Sequence, residues 1–386
     1  MTTDLIERQQ RIKSLKDNII DSVNKRVAET VTTISAREKN LLLNDFEYAL
    51  GKVILDSTPE GVGIGAHHLC KANCIFCLGG KPKLFSLERY KEFFEQKLMS
   101  VINKARYVNL CGFGELLSMP GIEEFIDYIN ERIPYANKIF TTNGIPLTSE
   151  ISSLLTKSKS SVGISLHASN NRLHKLLTRT DAFEQIVSQI KQLFALRKKE
   201  GYPSVSFVFL ANTLNIENLP DFVDFASSLG AYEVICNYMT VFSPAHLKLS
   251  CFFKQKMTNA CFEKAQERAI KSKIILKLPP RFGQGCLPGK ASLCSDPWKY
   301  FYVENEGSVL PCCHAGYHIG YLNQTDFQTL WNGAHYTYLR SSLVGGNPHE
   351  WCRYCYKYKS DNVNDIRSHV TFRADLRDKI LKGYKL

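Results

Sequence analysis

The chain has 386 residues, a length that suggests two domains or one large domain with an appendage. Its content of 44% hydrophobic and 11% aromatic residues is ample for a buried core and excludes global disorder. The net charge of +12 suggests an anionic partner or a lysine-rich solvated surface, and because Lys and Arg are scattered without a nucleic-acid-binding motif, nucleic acid is not expected.

Residues 1–55 are predicted to form an N-terminal helical segment, because apolar positions recur at helical spacing among abundant Glu, Lys, Arg and Gln. The first twenty residues carry charges throughout and lack the apolar stretch of a signal peptide. No apolar run reaches about 18 residues, the length that a membrane-spanning helix needs. A cytoplasmic location without a membrane partner is therefore expected.

Residues 56–280 alternate between two patterns. Short β-branched or apolar runs predict a first strand ahead of the cysteine cluster at residue 70 and further strands at 106–112, 137–144, 161–169, 204–212 and 232–239. Amphipathic runs predict helices at 86–105, 120–133, 182–199 and 219–230. The alternation indicates βαβ units with a parallel sheet, either a barrel or a doubly wound layer. The run GVGIG at 61–65 lacks Gly-x-Gly-x-x-Gly spacing, so no nucleotide-binding loop is predicted there.

Cysteine carries the strongest functional signal. Thirteen cysteines in a reducing compartment favour metal binding or redox chemistry over disulfides. Cys70, Cys74 and Cys77 share one short loop, and three thiolates leave one coordination position of a metal open. The loop follows the first predicted strand, at the carboxyl edge of the sheet, where ligands bind in such folds. Half of a zinc site is the alternative interpretation of these three residues.

The spacing Cys-x3-Cys-x2-Cys resembles the signature of the radical S-adenosylmethionine (SAM) superfamily. The resemblance implies an α/β fold with a partial (β/α)6 barrel, in which the three cysteines hold a catalytic [4Fe–4S] cluster that binds SAM. It also implies a set of SAM-contacting residues at the ends of successive strands. These are Phe76 near the adenine, Gly112, Gly114 and Glu115 at the SAM ammonium, Asn143 at the carboxylate or ribose, and Ser165, with His167 facing the same cavity. A carboxylate matches an ammonium, and glycine permits close backbone approach, so the residue types suit these roles.

Residues 281–386 have a different composition, rich in Gly, Pro and Cys, and predict short strands and one helix at 326–342. They resemble the SPASM/twitch extension of radical SAM enzymes, a small α+β domain, in the features Cys294-x12-Gly307-x4-Cys312, Pro297-Trp298, Gly320, Trp331-Asn332 and Cys352-x2-Cys355. The resemblance implies one auxiliary [4Fe–4S] cluster on Cys294, Cys312, Cys352 and Cys355. Cys313 competes with Cys312 for the ligand role, and Cys286 is a spare ligand or a buried thiol. A zinc site of four cysteines is the alternative.

The resemblance further implies the chemistry. An external one-electron donor such as flavodoxin or ferredoxin supports reductive cleavage of SAM to a 5′-deoxyadenosyl radical, which abstracts hydrogen from a substrate. A small polar substrate is expected, such as a sugar, aminoglycoside or nucleotide-sugar derivative, and the positive charge slightly favours a phosphorylated one. Dehydrogenation, dehydration and epimerisation all remain open. Cys111 or Cys236 is a positional candidate for the hydrogen donor of an epimerase, although each is more simply interpreted as a buried thiol. A peptide-modifying enzyme is the second hypothesis, and a non-catalytic zinc-binding scaffold is the third.

Overall fold

A computed structural model describes residues 35–65, 69–77, 87–112, 114–197, 201–283, 294–304, 307–312 and 317–349, with isolated positions at 14, 17–18, 20–22, 352 and 376. Helix α1 (Ala36–Ala49) begins at a capping box, in which the side chains of Ser35 and Glu38 each accept a bond from the other's backbone. The predicted N-terminal helix is therefore observed from residue 36. Apart from the isolated positions, its first 34 residues lie outside the described ranges.

One mixed sheet organises the molecule. Its strands are β1 (Gly61–Gly65), β2 (Tyr107–Cys111), β3 (Asn137–Thr142), β4 (Ser160–Ser165), β5 (Ser204–Ala211), β6 (Glu233–Tyr238), β7 (Ile275–Lys277), β8 (Tyr300–Glu304), β9 (Ser308–Leu310) and β10 (Gly320–Tyr321). The order is β10-β9-β8-β1-β2-β3-β4-β5-β6-β7, and every pairing from β8 through β7 is parallel. The predicted α/β class with a parallel sheet is confirmed, and β7 and β8 extend the predicted series of six strands.

Most of the helices connect successive parallel strands, the last two follow β10, and several of them were predicted. They are α2 (Leu87–Phe93), which passes through a π-helical turn (Phe94–Leu98) into α3 (Met99–Ile102), then α4 (Ile122–Arg132), α5 (Ser149–Thr156), α6 (Asn171–Thr178), α7 (Phe183–Leu196), α8 (Leu219–Ser228), α9 (Gln255–Ser272), α10 (Asp296–Lys299), α11 (Phe327–Trp331) and α12 (Ala334–Val344). Among the helices that the structure describes, none is both long enough and apolar enough to cross a membrane.

The single helix predicted at 326–342 is wrong, because the structure has two helices, α11 and α12, on either side of Asn332 and Gly333. Gly333 has an extended backbone, and a Cβ there would lie 2.6 Å from the carbonyl oxygen of Thr329. Only glycine permits this sharp change of direction without a clash. The helical periodicity of the segment conceals the break, since both helices have apolar positions at similar spacing.

The two faces of the parallel sheet differ in burial and polarity. The outer face is largely apolar and covered by helices, with Val108, Phe140, Ile164, Phe207 and Val234 each at most 1% exposed. Side chains on the inner face alternate with these and are half-buried. They include Asn109, Asn137, Ile139, Ser161, Ser165, Ser206, Val208 and Ile235. The inner face therefore borders an accessible, largely polar lumen.

Strand β1 lies between two tyrosine-bearing strands, and its glycines make room for their rings. Gly63 pairs with Tyr302 of β8, and a Cβ at Gly63 would lie 1.9 Å from the Tyr300 hydroxyl. A Cβ at Gly61 would lie 2.1 Å from the ring of Tyr107 on β2. The GVGIG run is thus a fully buried strand that accommodates aromatic rings. The run is therefore a strand and not a loop.

The C-terminal region is attached to the start of the barrel by hydrogen bonds as well as by the sheet. The Trp331 indole donates to the Ser57 carbonyl at 3.0 Å, and the Trp298 indole donates to the Lys52 carbonyl at 2.6 Å. The Asn332 amide exchanges two bonds with the backbone of Leu55, at 2.7 and 2.9 Å. The segment leading into β1 therefore packs between α1 and the C-terminal helices.

Candidate active site and cysteine clusters

The loop that carries Cys70, Cys74 and Cys77 leaves the carboxyl end of β1, as predicted. Two backbone bonds fix it to the last turn of α6: Asn73 N–H donates to the Thr178 carbonyl at 3.0 Å, and Ile75 N–H donates to the Leu177 carbonyl at 2.9 Å. These carbonyls belong to the final turn of a helix, where such groups lack helical partners. The helix end thereby positions the cysteine loop.

The three thiols lie close enough to influence one another. Cys70 and Cys77 are exposed, whereas Cys74 is half-buried. Burial, with the nearby Cys77 and Cys70 sulfurs as smaller causes, raises the pKa of Cys74 to about 12. Burial of its sulfur likewise raises the pKa of Cys70. Thiols with raised pKa values stay protonated unless a cation compensates them, and metal coordination deprotonates a thiol outright. This donor set fits an iron–sulfur cluster in its chemistry.

Glu115 and Asn143 join the ends of β2 and β3 beside the cysteine loop. The Glu115 carboxylate accepts the Asn143 backbone N–H at 2.7 Å and the Leu117 N–H at 3.3 Å. The Asn143 side-chain amide donates to the Cys70 sulfur at 3.3 Å. Gly114 has a φ of 97°, a conformation that glycine adopts without strain. The predicted SAM-contacting residues of two strands are thus hydrogen-bonded to one another and to the first cysteine.

The Glu115 carboxyl is 2% exposed, and this burial raises its pKa to about 7, although the bonds from Asn143, Thr142 and Leu117 act in the opposite direction. A buried carboxylate without a cationic partner is costly, because its charge is not solvated. A ligand ammonium at this position would stabilise the ionised form. The carboxyl group is therefore suited to the predicted contact, which stays a prediction.

A cavity of about 360 Å³ lies under the cysteine loop at the carboxyl ends of the strands. Its lining includes eight of the nine residues predicted for the SAM site, namely Cys70, Cys74, Phe76, Cys77, Gly114, Glu115, Asn143 and Ser165. Gly112 is the exception, since it is exposed at the end of β2 and is not among the lining residues. Sequence order and strand ends therefore brought nearly all of the predicted residues to one cavity, while more than half of its twenty lining residues were not in the predicted set.

Phe76 and His167 form a second part of the wall. Their rings meet edge to face at a centroid distance of 5.1 Å. The His167 Nδ1 accepts the Leu210 N–H at 3.1 Å, so Nε2 carries the proton of the neutral ring. Burial, with His174 as a smaller cause, lowers the pKa of His167 to about 4 and keeps it neutral. This wall is consequently uncharged.

Several lining residues were missed by sequence reasoning. His174 and Thr178 lie on α6, Thr180 follows it, and Phe242 lies beyond β6. The position of α6 directly after a strand end was the available signal. A histidine on an amphipathic helix is more often a packing residue, so the signal was weak.

Cys236, a candidate hydrogen donor, lies elsewhere. It pairs with Phe209 in the sheet, is 2% exposed, and belongs to the apolar core on the outer face. Burial raises its pKa well above the ordinary value. The interpretation of Cys236 as a buried thiol is therefore correct. The side chain of Cys111, the other candidate, lies outside the described part of the structure.

The C-terminal cysteines are held by the β8–β9 hairpin and the helices that follow it. Cys294 precedes α10, Cys312 lies two residues beyond β9, and Cys352 donates its backbone N–H to the His349 carbonyl at 2.8 Å. Burial, with the Cys352 and Cys312 sulfurs as further causes, raises the pKa of Tyr317, so both thiols lie near this phenol. Gly307 forms the predicted turn, with a φ of 82°. The predicted ligand Cys355 and the alternatives Cys286 and Cys313 lie outside the described residues.

All three described C-terminal cysteines are half-buried, and Cys294 and Cys352 pack against the main apolar core. Within the described ranges, no three His, Cys, Asp or Glu side chains converge around a point where a single metal ion would bind. The ligand roles of Cys294, Cys312, Cys352 and Cys355 thus stay predictions.

Comparison with known proteins agrees with both resemblances. The family model of the radical SAM superfamily matches residues 67–226, and that of SPASM, an iron–sulfur cluster-binding domain, matches residues 294–356. A probable GTP 3′,8-cyclase of Sulfurisphaera tokodaii is 24% identical over 216 residues, which cover 56% of this chain and 66% of that protein. Its counterpart in Methanocaldococcus jannaschii is 30% identical over 127 residues, 33% of this chain and 41% of that protein. The chain spans less than two thirds of these relatives' own length.

Solved structures share the fold at low sequence identity. Streptococcus suis SuiB bound to S-adenosylmethionine has a TM-score of 0.63 at 15% identity, covering 92% of this chain and 85% of SuiB. The enzyme anSMEcpe with bound AdoMet has a TM-score of 0.56 at 13% identity, covering 83% of this chain and 96% of that one. The two family matches make [4Fe–4S] clusters and SAM the cofactors of this protein. The chain belongs to the radical SAM superfamily and carries a C-terminal SPASM domain.

Proposed function

We propose that this protein binds SAM in the cavity under the cysteine loop and abstracts hydrogen from a polar substrate held in the barrel lumen. One observation carries the proposal: the cavity opens onto the polar inner face of the sheet through Thr141, Ser165 and Val208. Cys70, Cys74 and Cys77 would hold the cluster above this opening. When bound, the cluster and SAM supply an electron and a 5′-deoxyadenosyl radical. The protein's part is to orient the substrate and exclude water.

Three groups around the cavity suit SAM. The Glu115 carboxylate would accept the ammonium. The Asn143 amide is fixed by its bond to Cys70 and by the bond that its own oxygen accepts from Ile145 N–H at 2.9 Å. The Phe76 ring, 8% exposed, offers an apolar surface to the adenine. The neutral His167 beside it adds no charge that would repel the sulfonium.

The lumen supports a polar substrate. Below the cavity, the Asn137 amide donates to the Ser161 hydroxyl at 3.0 Å, and the Asn109 amide contacts the Tyr300 hydroxyl at 3.4 Å. Half-buried amides and hydroxyls favour ligands that can hydrogen-bond with them over apolar ligands. Glu304 continues the inward-facing row of Tyr300 and Tyr302, and a carboxylate there favours an amino group over a phosphate. An aminoglycoside or amino sugar fits these groups better than a nucleotide sugar.

A peptide is the second candidate substrate. SuiB bound to the precursor peptide SuiA shares the fold over 95% of this chain, with a TM-score of 0.60. A side chain such as Ser, Asn or Lys would offer the same hydrogen-bonding groups to the lumen. The distinction between a free sugar and a peptide therefore depends on what lies around the lumen entrance.

The test is anaerobic turnover with SAM and a one-electron reductant. We expect formation of 5′-deoxyadenosine by the wild type, and none after Cys74→Ala. Substrates carrying deuterium at carbon, drawn from aminoglycosides, nucleotide sugars and peptides, identify the hydrogen source when deuterium appears in 5′-deoxyadenosine. Absence of 5′-deoxyadenosine in a chain that holds its full iron would overturn the proposal. Deuterium transfer only from peptides would replace the sugar by the second candidate.

A further inference from the structure

Helix α12 carries two fully buried donors that have no acceptor among the described residues. Tyr336 and Arg340 lie one helical turn apart, and both are 0% exposed. The Tyr336 hydroxyl and the Nη2 atom of Arg340 are inaccessible to solvent and have no hydrogen-bond partner among the residues that the structure describes. Buried polar groups are paired in the great majority of cases, so two orphans in one place require an explanation.

Arg340 is held firmly at its other atoms. Its Nε donates to the Pro297 carbonyl at 2.8 Å, and its Nη1 donates to the Val53 carbonyl at 2.9 Å. The guanidinium stacks on the Trp331 ring at 4.4 Å and on the Tyr336 ring at 5.1 Å. All of these partners are neutral. A buried guanidinium without an anion is costly, because its charge has lost its hydration.

Glu47 is the carboxylate that acts on this charge, but its oxygens are already engaged. They accept the Lys52 ammonium at 2.8 Å, the Ser57 hydroxyl at 2.6 Å, and the backbone N–H groups of Asp56 and Ser57. Burial lowers the pKa of Arg340 to about 10, and the Glu47 charge offsets this only in part. A further anion near Nη2 would therefore stabilise the folded chain.

Cys312 lies near this helix, and Cys294 is close in sequence to a residue that the helix contacts. The Tyr336 ring stacks on Phe301 of β8 at 6.4 Å and meets Trp331 at 4.8 Å. Cys312 follows the strand that pairs with β8, and its sulfur acts electrostatically on the Tyr336 phenol. Pro297, which accepts the Arg340 bond, lies three residues after Cys294. Both donors are thus near the sequence positions that would supply thiolates.

The geometry points to Tyr336 and Arg340 as positioning residues that donate to, and offset the charge of, the iron–sulfur cluster of the SPASM domain. Hydrogen bonds to cluster sulfurs and nearby positive charge both favour the more negative, reduced state, so they raise the reduction potential. The inference depends on the SPASM match and on the predicted ligands. It does not depend on the proposed substrate or on turnover.

The test is a redox titration, followed by electron paramagnetic resonance, of the full chain in which Cys70, Cys74 and Cys77 are replaced by Ala. The remaining signal then comes from the auxiliary site. Tyr336→Phe removes only the hydroxyl and should lower the potential by about 59 mV or more, a tenfold change in the one-electron equilibrium. Tyr338→Phe, on the same helix but 59% exposed, is the matched control and should leave the potential unchanged.

An unchanged potential in the Tyr336→Phe chain, with iron retained, would overturn the inference and leave Tyr336 a packing residue. A C-terminal site that holds zinc, or no iron, in the parent chain with Tyr336 and Arg340 intact would overturn it as well. If Tyr336→Phe loses iron, Arg340→Lys provides the second measurement, since it keeps the charge but loses the planar fork. If the Arg340→Lys chain then has the same reduction potential as the parent chain that keeps Arg340, the result would count against the proposal.

Discussion

The two cysteine regions are built in opposite ways. Cys70, Cys74 and Cys77 come from one loop, two of them are exposed, and the loop lines a cavity. Cys294, Cys312 and Cys352 come from three separate segments, all are half-buried, and two pack against the main core. A site that must admit a ligand can be a short exposed loop, whereas a closed site gains stability by joining distant segments. Loss of the first should impair chemistry, and loss of the second should impair folding.

The largest effect is expected from replacing Cys70, Cys74 and Cys77 together with Ala. Formation of 5′-deoxyadenosine should fall to background, because the loop would no longer hold its cluster. About four irons should remain, those of the auxiliary site, and thermal stability should change little because the loop is exposed. Iron analysis and product assay check this. Cleavage of SAM by the triple variant would show that the chemistry takes place elsewhere.

Replacing Cys352 and Cys355 with Ala should impair folding stability, in contrast to the variant that lacks the first three cysteines. About half of the iron should be lost, and the melting temperature should fall by more than about 5 °C, because ligation free energy is also folding free energy. Cys261→Ala is the control, since Cys261 is a buried cysteine of α9 outside both predicted sites. A double variant as stable as this control would remove the distinction between the two regions.

Gly63→Ala tests the pairing of β1 with β8, which joins the barrel to the C-terminal region. The new methyl group would lie 1.9 Å from the Tyr300 hydroxyl and would push the ring from β1, at a cost of about 3 kcal/mol in the free energy of unfolding. Gly163→Ala is matched, because it lies on the inner face with its nearest neighbour at 3.6 Å, and it should cost less than about 1 kcal/mol. Chemical denaturation measures both. Equal costs would mean that the tyrosine packing against β1 is loose.

The smallest effect concerns Glu115. Glu115→Gln should weaken SAM binding about tenfold at pH 8, because a hydrogen bond between ions is replaced by a neutral one. Since burial raises the pKa of Glu115 to about 7, its carboxyl is largely protonated below that pH and ionised above it. The affinity of the wild type should therefore rise between pH 6 and pH 8, and that of the variant should not. Parallel pH profiles for the two proteins would exclude Glu115 as the ammonium partner.

The parts of this fold that follow local rules were predictable from sequence. Strands β2 to β6 were placed within a few residues, because β-branched runs alternate with amphipathic helices. Consecutive strands are usually neighbours in a parallel sheet, so Glu115 after β2 and Asn143 after β3 could be expected to meet. The bond of Asn143 to Cys70 does not follow from this adjacency, because β2 lies between β3 and the strand β1 that leads to the cysteine loop.

The remaining features depend on contacts between distant segments. The pairing of β8 with β1 joins residues more than 230 positions apart, and neither strand's composition indicates its partner. The bonds from Asn73 and Ile75 to the end of α6 likewise have no local signature. The break at Gly333 was concealed by similar periodicity on both sides, and the orphaned donors of α12 become apparent only when side chains are packed.

The parallel pairing of β1 with β8 has a geometric consequence for any substrate. Strand β1 leads directly to the cysteine loop, and β8 lies between Cys294 and the hairpin that leads to Cys312, over five hydrogen-bonded residue pairs. Five residues of strand span roughly 16 Å, so the two ends of the lumen are separated by a length that the backbone fixes. All five residue pairs of this span are consecutive in both strands. The size of the substrate, and not a movement of one region toward the other, therefore determines whether one molecule can contact both ends at once.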